Sequence, residues 1–190
     1  KSSKKDWINQ AVHKIEADFC RSVDTHIIPI PLKNYSHHGI DLYLKDESTH
    51  PSGSLKHRLA RSLFLYALCH NWLDEGVTVI EASSGSTAVS EAYFANMLGL
   101  PFIAVMPKNT SSEKLERVHF YGGSCHLVDH SKEVYEVARD LAIKTQGHFM
   151  DQFTYAERVT DWRGNNNIGQ SIFSQMALER HPIPKWIVVG

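Results

Sequence analysis

The sequence predicts an α/β fold built on a mostly parallel sheet, and three observations carry that prediction. Short apolar, partly β-branched runs recur at "VTVIEA", "PFIAVMP", "CHLVD", "HFMDQF" and "KWIVVG". Helical stretches lie between them: "STAVSEAYFANMLG", "SSEKLERVHFYG", "SKEVYEVARDLAIKTQG" and "NNNIGQSIFSQMALER". Punctuation falls at the joins, with Ser86, Ser111 and Ser131 where N-caps belong and Gly99, Gly122 and Gly147 where helices should stop. Strand and helix alternating at this interval mean βαβ units.

In chain order, "KSSKKDW" is a basic run read as a solvated tail entering the first helix. "DWINQAVHKIEADF" then places Trp7, Ile8, Val12, Ile15 and Phe19 at helical spacing. "THIIPIPL" is extended and broken by proline, which suits an edge better than a central strand. "GIDLYLKDE" alternates, with Leu42 and Leu44 on one side and Asp41, Tyr43 and Lys45 on the other. "HPSGSLKHRLARSLF" is a turn running into an apolar helix with Lys56 in its opening turn. The leucines and aromatics of "SLFLYALCHNWL" are spaced as one buried stripe. "WIVVG" reads as an apolar strand ending at Gly190, where a parallel strand would normally continue into a loop. The chain is therefore expected to be the N-terminal part of a longer protein.

The 190 residues give room for one domain, or one domain and part of another. At 42% hydrophobic and 22% charged, the composition is globular rather than disordered. A net charge of -1 gives no sequence-wide attraction to nucleic acid or to an anionic membrane. Cys20, Cys69 and Cys125 are odd in number, far apart and without CxxC spacing. That argues against a disulfide framework or structural zinc and for a reducing, cytoplasmic setting. No apolar run reaches the roughly eighteen residues of a membrane span, and no signal-peptide pattern opens the sequence. His126 and His130 read as lying on a strand entering a loop and His37–His38 as a polar turn, so no metal site is expected.

Two stretches carry chemistry. Ser83, Ser84, Gly85, Ser86 and Thr87 lie between a buried strand and a helix. Gly85 is expected to let the backbone turn tightly and a ligand approach closely. The N–H groups of the helix start, with up to four hydroxyls, suit a carboxylate or phosphate, although a plain serine-capped turn has the same residues. Lys56 is the second. The helix dipole disfavours a cation at that end, and burial would disfavour it further, giving a more nucleophilic amine of the kind Schiff-base chemistry uses. A lone lysine there reads more readily as an exposed one whose stem covers apolar surface; its pairing with the seryl turn one helix and one strand later favours the chemical reading. Lys45–Glu47 is read as a solvated strand end or an interdomain ion pair, and Arg58 as a structural contact beside the lysine turn.

These residues resemble the tryptophan synthase β-like (fold type II) pyridoxal-phosphate enzymes, on the branch of cysteine synthase and cystathionine β-synthase. "HPSGSLKHRLA" resembles the stretch whose lysine forms the Schiff base with the cofactor. "EASSGSTAVSEAYFANMLGLPFIAVMP" is similar to the loop and helix that grip the substrate's α-carboxylate, and "DQF" to the segment whose glutamine reaches the same group. "WIVVG" resembles the strand leading into the Gly-rich cup for the cofactor phosphate. The four blocks fall in family order from about Ile30 to Gly190.

The resemblance implies a three-layer αβα fold of which this is the N-terminal part. Residues 1–75 and 151–190 would belong to the larger domain, and 76–150 would form the small substrate-carboxylate domain. It implies pyridoxal 5'-phosphate as cofactor, Lys56 as Schiff-base lysine and Cα base, and Ser83, Ser84, Gly85, Ser86, Thr87 and Gln152 as the carboxylate site. The implied activity is β-elimination or β-replacement on a small L-amino acid, L-cysteine or O-acetyl-L-serine, by a homodimer. The family usually has asparagine at the place of Ser86, contacting the cofactor's phenolic oxygen, so the serine bears on reaction specificity. The run "SSGSTAVSEAYFA" resembles the cysteine desulfhydrases of this branch. The phosphate cup would lie beyond Gly190, so this stretch alone is expected to hold the cofactor poorly and not to turn over. A non-catalytic α/β module with an anion-binding turn is the alternative. A mononucleotide-binding domain is weaker, since neither GxGxxG nor GxxxxGK[ST] follows a strand.

Overall fold

A computed structural model describes residues 3–32, 39–160, 162 and 167–189. The chain opens with helix α1 (Lys4–Arg21), started by a capping box in which Ser3 Oγ accepts from the Asp6 amide and Asp6 Oδ2 accepts from the Ser3 amide. Ala11 and Ile15 are its buried apolar residues, with Trp7, Ile8 and Val12 partly buried beside them. Phe19 stays half-exposed beneath the Arg61 guanidinium, 4.1 Å from its ring centre.

Strands β1 (His26–Ile30) and β2 (Leu42–Asp46) form a separate antiparallel pair with Ile28 opposite Leu44. Its inward face is the polar one. Lys45 Nζ donates to the Thr25 carbonyl and to Gln175 Oε1, at 2.7 Å each, while Ile28, Leu42 and Leu44 are exposed. His37 and His38 lie outside the described residues.

The main sheet is parallel, with strands ordered β5 (Ser124–Val128), β4 (Phe102–Pro107), β3 (Val79–Ala82) and β6 (His148–Phe149). Helices α3 (Ser86–Leu98), α4 (Ser112–Phe120) and α5 (Val134–Thr145) connect them. Alternation along the strands divides the core in two. Val79, Phe102, Ala104 and Met106 pack with α1, α2 (Lys56–Cys69) and α3. Ile80, Ala82 and Val105 pack on the other face with Ala138 and Ala142 of α5. The result is three layers, as expected. Helices α6 (Gln152–Thr160) and α7 (Ile168–Met176) follow. Among the described residues no helix is long and apolar enough to cross a membrane.

Several expectations change in detail. Helix α2 is buried almost all round rather than along a stripe, because α1, α3 and α6 all pack on it. Gly85, not Ser86, is the N-cap of α3, and Ser86 is already helical. Ser131 opens a short 3-10 turn before α5. Helix α5 stops at Gln146, which takes the left-handed conformation at φ 51°. Gly147 is needed for a different reason: a Cβ there would sit 2.5 Å from the Thr78 carbonyl oxygen. The strand expected over "HFMDQF" has two residues, since the chain turns at Asp151 into α6. Residues Trp186–Val189 are exposed and form no strand; among the described residues no strand lies beside them to pair with.

Candidate active site

The lysine turn is built by residues on both sides of Lys56. Gly53 takes φ +78° and its amide donates to the His50 carbonyl at 2.7 Å, closing the Pro-Ser-Gly-Ser turn. Ser52 is buried, and its hydroxyl hydrogen-bonds both His57 Nδ1 at 3.0 Å and Ser90 Oγ of α3 at 2.8 Å. The turn is thereby fastened to the helix that leaves the seryl loop. The His57 ring stacks on His50 at 5.0 Å. Burial first, then the nearby His50 and arginine charges, push His57 down to about 3, so it is a neutral packing group. Arg58 donates to Glu47 at 2.7 and 3.0 Å and to Asp24 at 2.9 Å, the structural role expected for it.

Lys56 is the first residue of α2 and is half-buried. Its amide donates to Ser54 Oγ at 3.3 Å, and among the described residues no carboxylate pairs with its side chain.

The seryl turn leaves the carboxyl end of β3, the end at which parallel sheets present ligand crevices. Ser83 donates its amide to the Val105 carbonyl at 3.2 Å, and the Gly85 amide donates to Ser83 Oγ at 3.2 Å. The N-cap of α3 is a glycine, so no cap side chain covers the first amides of the helix. Gly85 has φ -114°, which any residue adopts, so glycine is not there to make the turn. What it leaves is space: a Cβ at 85 would meet only Ser83 Oγ, at 4.0 Å.

An open cleft of about 390 Å³ lies over this turn, lined by Ser83, Ser84 and Gly85 together with Ser131, Tyr135 and Phe153. Ser86, Thr87, Gln152 and Lys56 lie outside its walls. Gln152 is buried at the start of α6, and its amide donates to Glu81 Oε2 at 3.0 Å. Sequence reasoning missed Glu81 and Ser52. For Glu81 the signal was there, a lone acid inside the apolar run "VTVIEA"; for Ser52 there was none.

The family model described as "Pyridoxal-phosphate dependent enzyme" matches residues 23–190. L-cysteine desulfhydrase Cds1 of Mycobacterium tuberculosis is 59% identical over the whole of this chain, which spans 52% of that protein. Cysteine synthase B of Campylobacter jejuni is 32% identical over 63% of this chain and 41% of its own length. The crystal structure of O-ureido-L-serine synthase aligns with a TM-score of 0.64 at 33% identity, covering 68% of this chain and 41% of that one. The chain thus spans about half, or less, of the length of these relatives. Its parallel sheet, its lysine turn and its match from residue 23 onward converge: the chain belongs to the pyridoxal-phosphate dependent enzymes of fold type II.

Proposed function

We propose that the protein carrying this chain eliminates the thiol of L-cysteine, with water, to give sulfide, pyruvate and ammonia. The observation that carries the reading is the 59% identity, across the whole chain, to a protein named L-cysteine desulfhydrase. The half-buried Lys56 at the start of α2 and the glycine-capped start of α3 fit the cofactor aldehyde and a substrate carboxylate respectively. Pyridoxal phosphate, when bound, supplies the electron sink for a bond broken at the substrate's Cα.

Lys56 would hold the cofactor's aldehyde and, once displaced by the substrate amine, take the Cα proton onto Nζ. The amides and hydroxyls of residues 83–87 would hold the α-carboxylate at the helix start, where the dipole favours an anion. The Gln152 carboxamide would donate to the same carboxylate. Residues 76–150 would then act as the substrate-carboxylate domain, and 1–75 with 151–190 as part of the larger one. A second reading, β-replacement on O-acetyl-L-serine, is favoured by the relative named cysteine synthase B. The whole protein decides between them. Sulfide released from L-cysteine, and lost in Lys56→Ala, is the expected result; sulfide consumed with O-acetyl-L-serine, with none released from L-cysteine, selects replacement.

A further inference from the structure

Ser90 sits in the second turn of α3, whose first turn continues the seryl turn, and Ser52 lies in the turn that leads into Lys56. Both side chains are buried, and their hydroxyl oxygens are 2.8 Å apart. The same Ser52 hydroxyl hydrogen-bonds His57 Nδ1 at 3.0 Å. One proton and two lone pairs serve both bonds whichever tautomer His57 holds. The His57 ring in turn packs on Tyr93 and Phe94 of α3, with centroids 5.3 and 4.8 Å away.

The end of α4 reaches the backbone of the same turn. Arg117 Nη2 donates to the Ser52 carbonyl at 3.3 Å, and the Tyr121 hydroxyl donates to the Pro51 carbonyl at 3.0 Å. Lys56 and the seryl turn are thus two ends of one path, which runs from α3 through Ser90 and Ser52 into the first residue of α2. Alanine at both positions would nearly fill the same space without burying hydroxyls, so what the pair adds is direction. A slip of the turn along α3 would carry the amine away from a carboxylate held at the helix start. Misplacing reacting groups by about 1 Å can cost about a hundredfold in rate.

We propose that Ser52 and Ser90 are positioning residues: their bond fixes the lysine turn on α3 and so sets Lys56 Nζ where it can take the Cα proton of a substrate whose carboxylate lies at the seryl turn. The proposal rests on the reading that Lys56 is the Cα base and that residues 83–87 bind the carboxylate.

The test uses Ser90→Ala, Ser52→Ala and the double variant of the whole, cofactor-loaded protein. Hydrogen exchange is followed without substrate at the Gly53 amide, which closes the turn on the His50 carbonyl. Turnover of L-cysteine is measured with hydrogen and with deuterium at Cα. In Ser90→Ala, which leaves the Ser52–His57 bond in place, exchange is expected to rise about fivefold. There kcat should fall about tenfold with KM within about twofold, and kcat should show a primary isotope effect because proton transfer from Cα has become slow. The double variant should match Ser90→Ala within about twofold in kcat, since the two hydroxyls act as one unit. Unchanged exchange in Ser90→Ala overturns the proposal, and so does faster exchange with an unchanged kcat. A loss of kcat without an isotope effect overturns it as well, because a merely structural role would give that result. Should Ser52→Ala fail to fold, Ser90→Ala carries the test by itself. A parent protein without sulfide release refutes the functional reading alone, because the exchange measurement needs no substrate.

Discussion

One cluster of acids gathers round a buried arginine and another is wholly buried, and their charge states are opposite. At the foot of α2, Glu47 and Asp24 meet Arg58, and Lys45 lies 3.6 Å from Asp24. Burial acts to raise the Glu47 carboxyl, but hydrogen bonds from His50, Arg58 and Thr25 outweigh it and hold it well below the usual range. Beneath α3 no cation among the described residues partners the pair of Glu81 and Glu91. Burial, with the nearby Asp151 adding to it, pushes Glu81 up to about 7 despite three hydrogen bonds, and burial raises Glu91 well above the usual carboxylate range too. Beside a cation the carboxylate keeps its charge; without one, burial favours the neutral acid. The first cluster holds together the β1–β2 hairpin, α2 and α7, with Ser171 and Gln175 joined to it. The second must keep a proton, and it does so directly behind the seryl turn.

The largest expected effect breaks the first cluster. Arg58→Leu leaves Glu47 and Asp24 without their guanidinium, and stability should fall by on the order of 3 kcal/mol in denaturant unfolding. The contrasting change is Glu91→Leu, which removes an acid that no cation compensates. Its stability should lie within about 1 kcal/mol of the parent, or above it. A large loss there would erase the distinction between the clusters.

The pH dependence sharpens the same contrast. Glu81 binds its proton more tightly in the fold, about 7 against 4.5 unfolded, so the folded state holds the extra proton between those values. Stability contributed by this group therefore falls as pH rises from about 4.5 to about 7. Glu47 has the reverse sign: its contribution is present above 4.5 and lost as pH falls below it. His57 and His148, held neutral by burial at about 3 and about 4, also lose stability as pH falls below 6.5. The clean measurement is thus a difference: the stability of the parent minus that of Glu81→Gln should decrease as pH rises from about 4.5 to about 7. The smallest effect is at the exposed Lys108–Asp129 pair, where Lys108→Ala should leave the denaturant midpoint unchanged.

Much of this was legible in the sequence. Strand and helix periods placed β3, α3, β4, α4, β5 and α5, because each buries a face whose spacing is local. The lysine turn and the seryl turn were legible as residues, and their fastening through Ser52 and Ser90 was not, since a hydroxyl pair 38 positions apart leaves no pattern. The inward face of β2 was also hidden: alternation separates two faces but does not say which is buried, and here Lys45 is the buried one. Apolar content alone made "WIVV" look like a strand, whereas a strand exists only beside a partner. Glu81 stood in plain view as a charge within an apolar run, but its meaning needed Glu91 and Gln152, which only the fold brings to it.

The account rests on Lys56 being the residue that takes the cofactor. The direct measurement incubates the whole protein with pyridoxal phosphate, reduces it with borohydride and maps its peptides by mass, beside Lys56→Ala. The expected result is a phosphopyridoxyl increment on the peptide containing Lys56, absent from the variant. An increment on a different lysine, or none in the whole protein, would contradict the account.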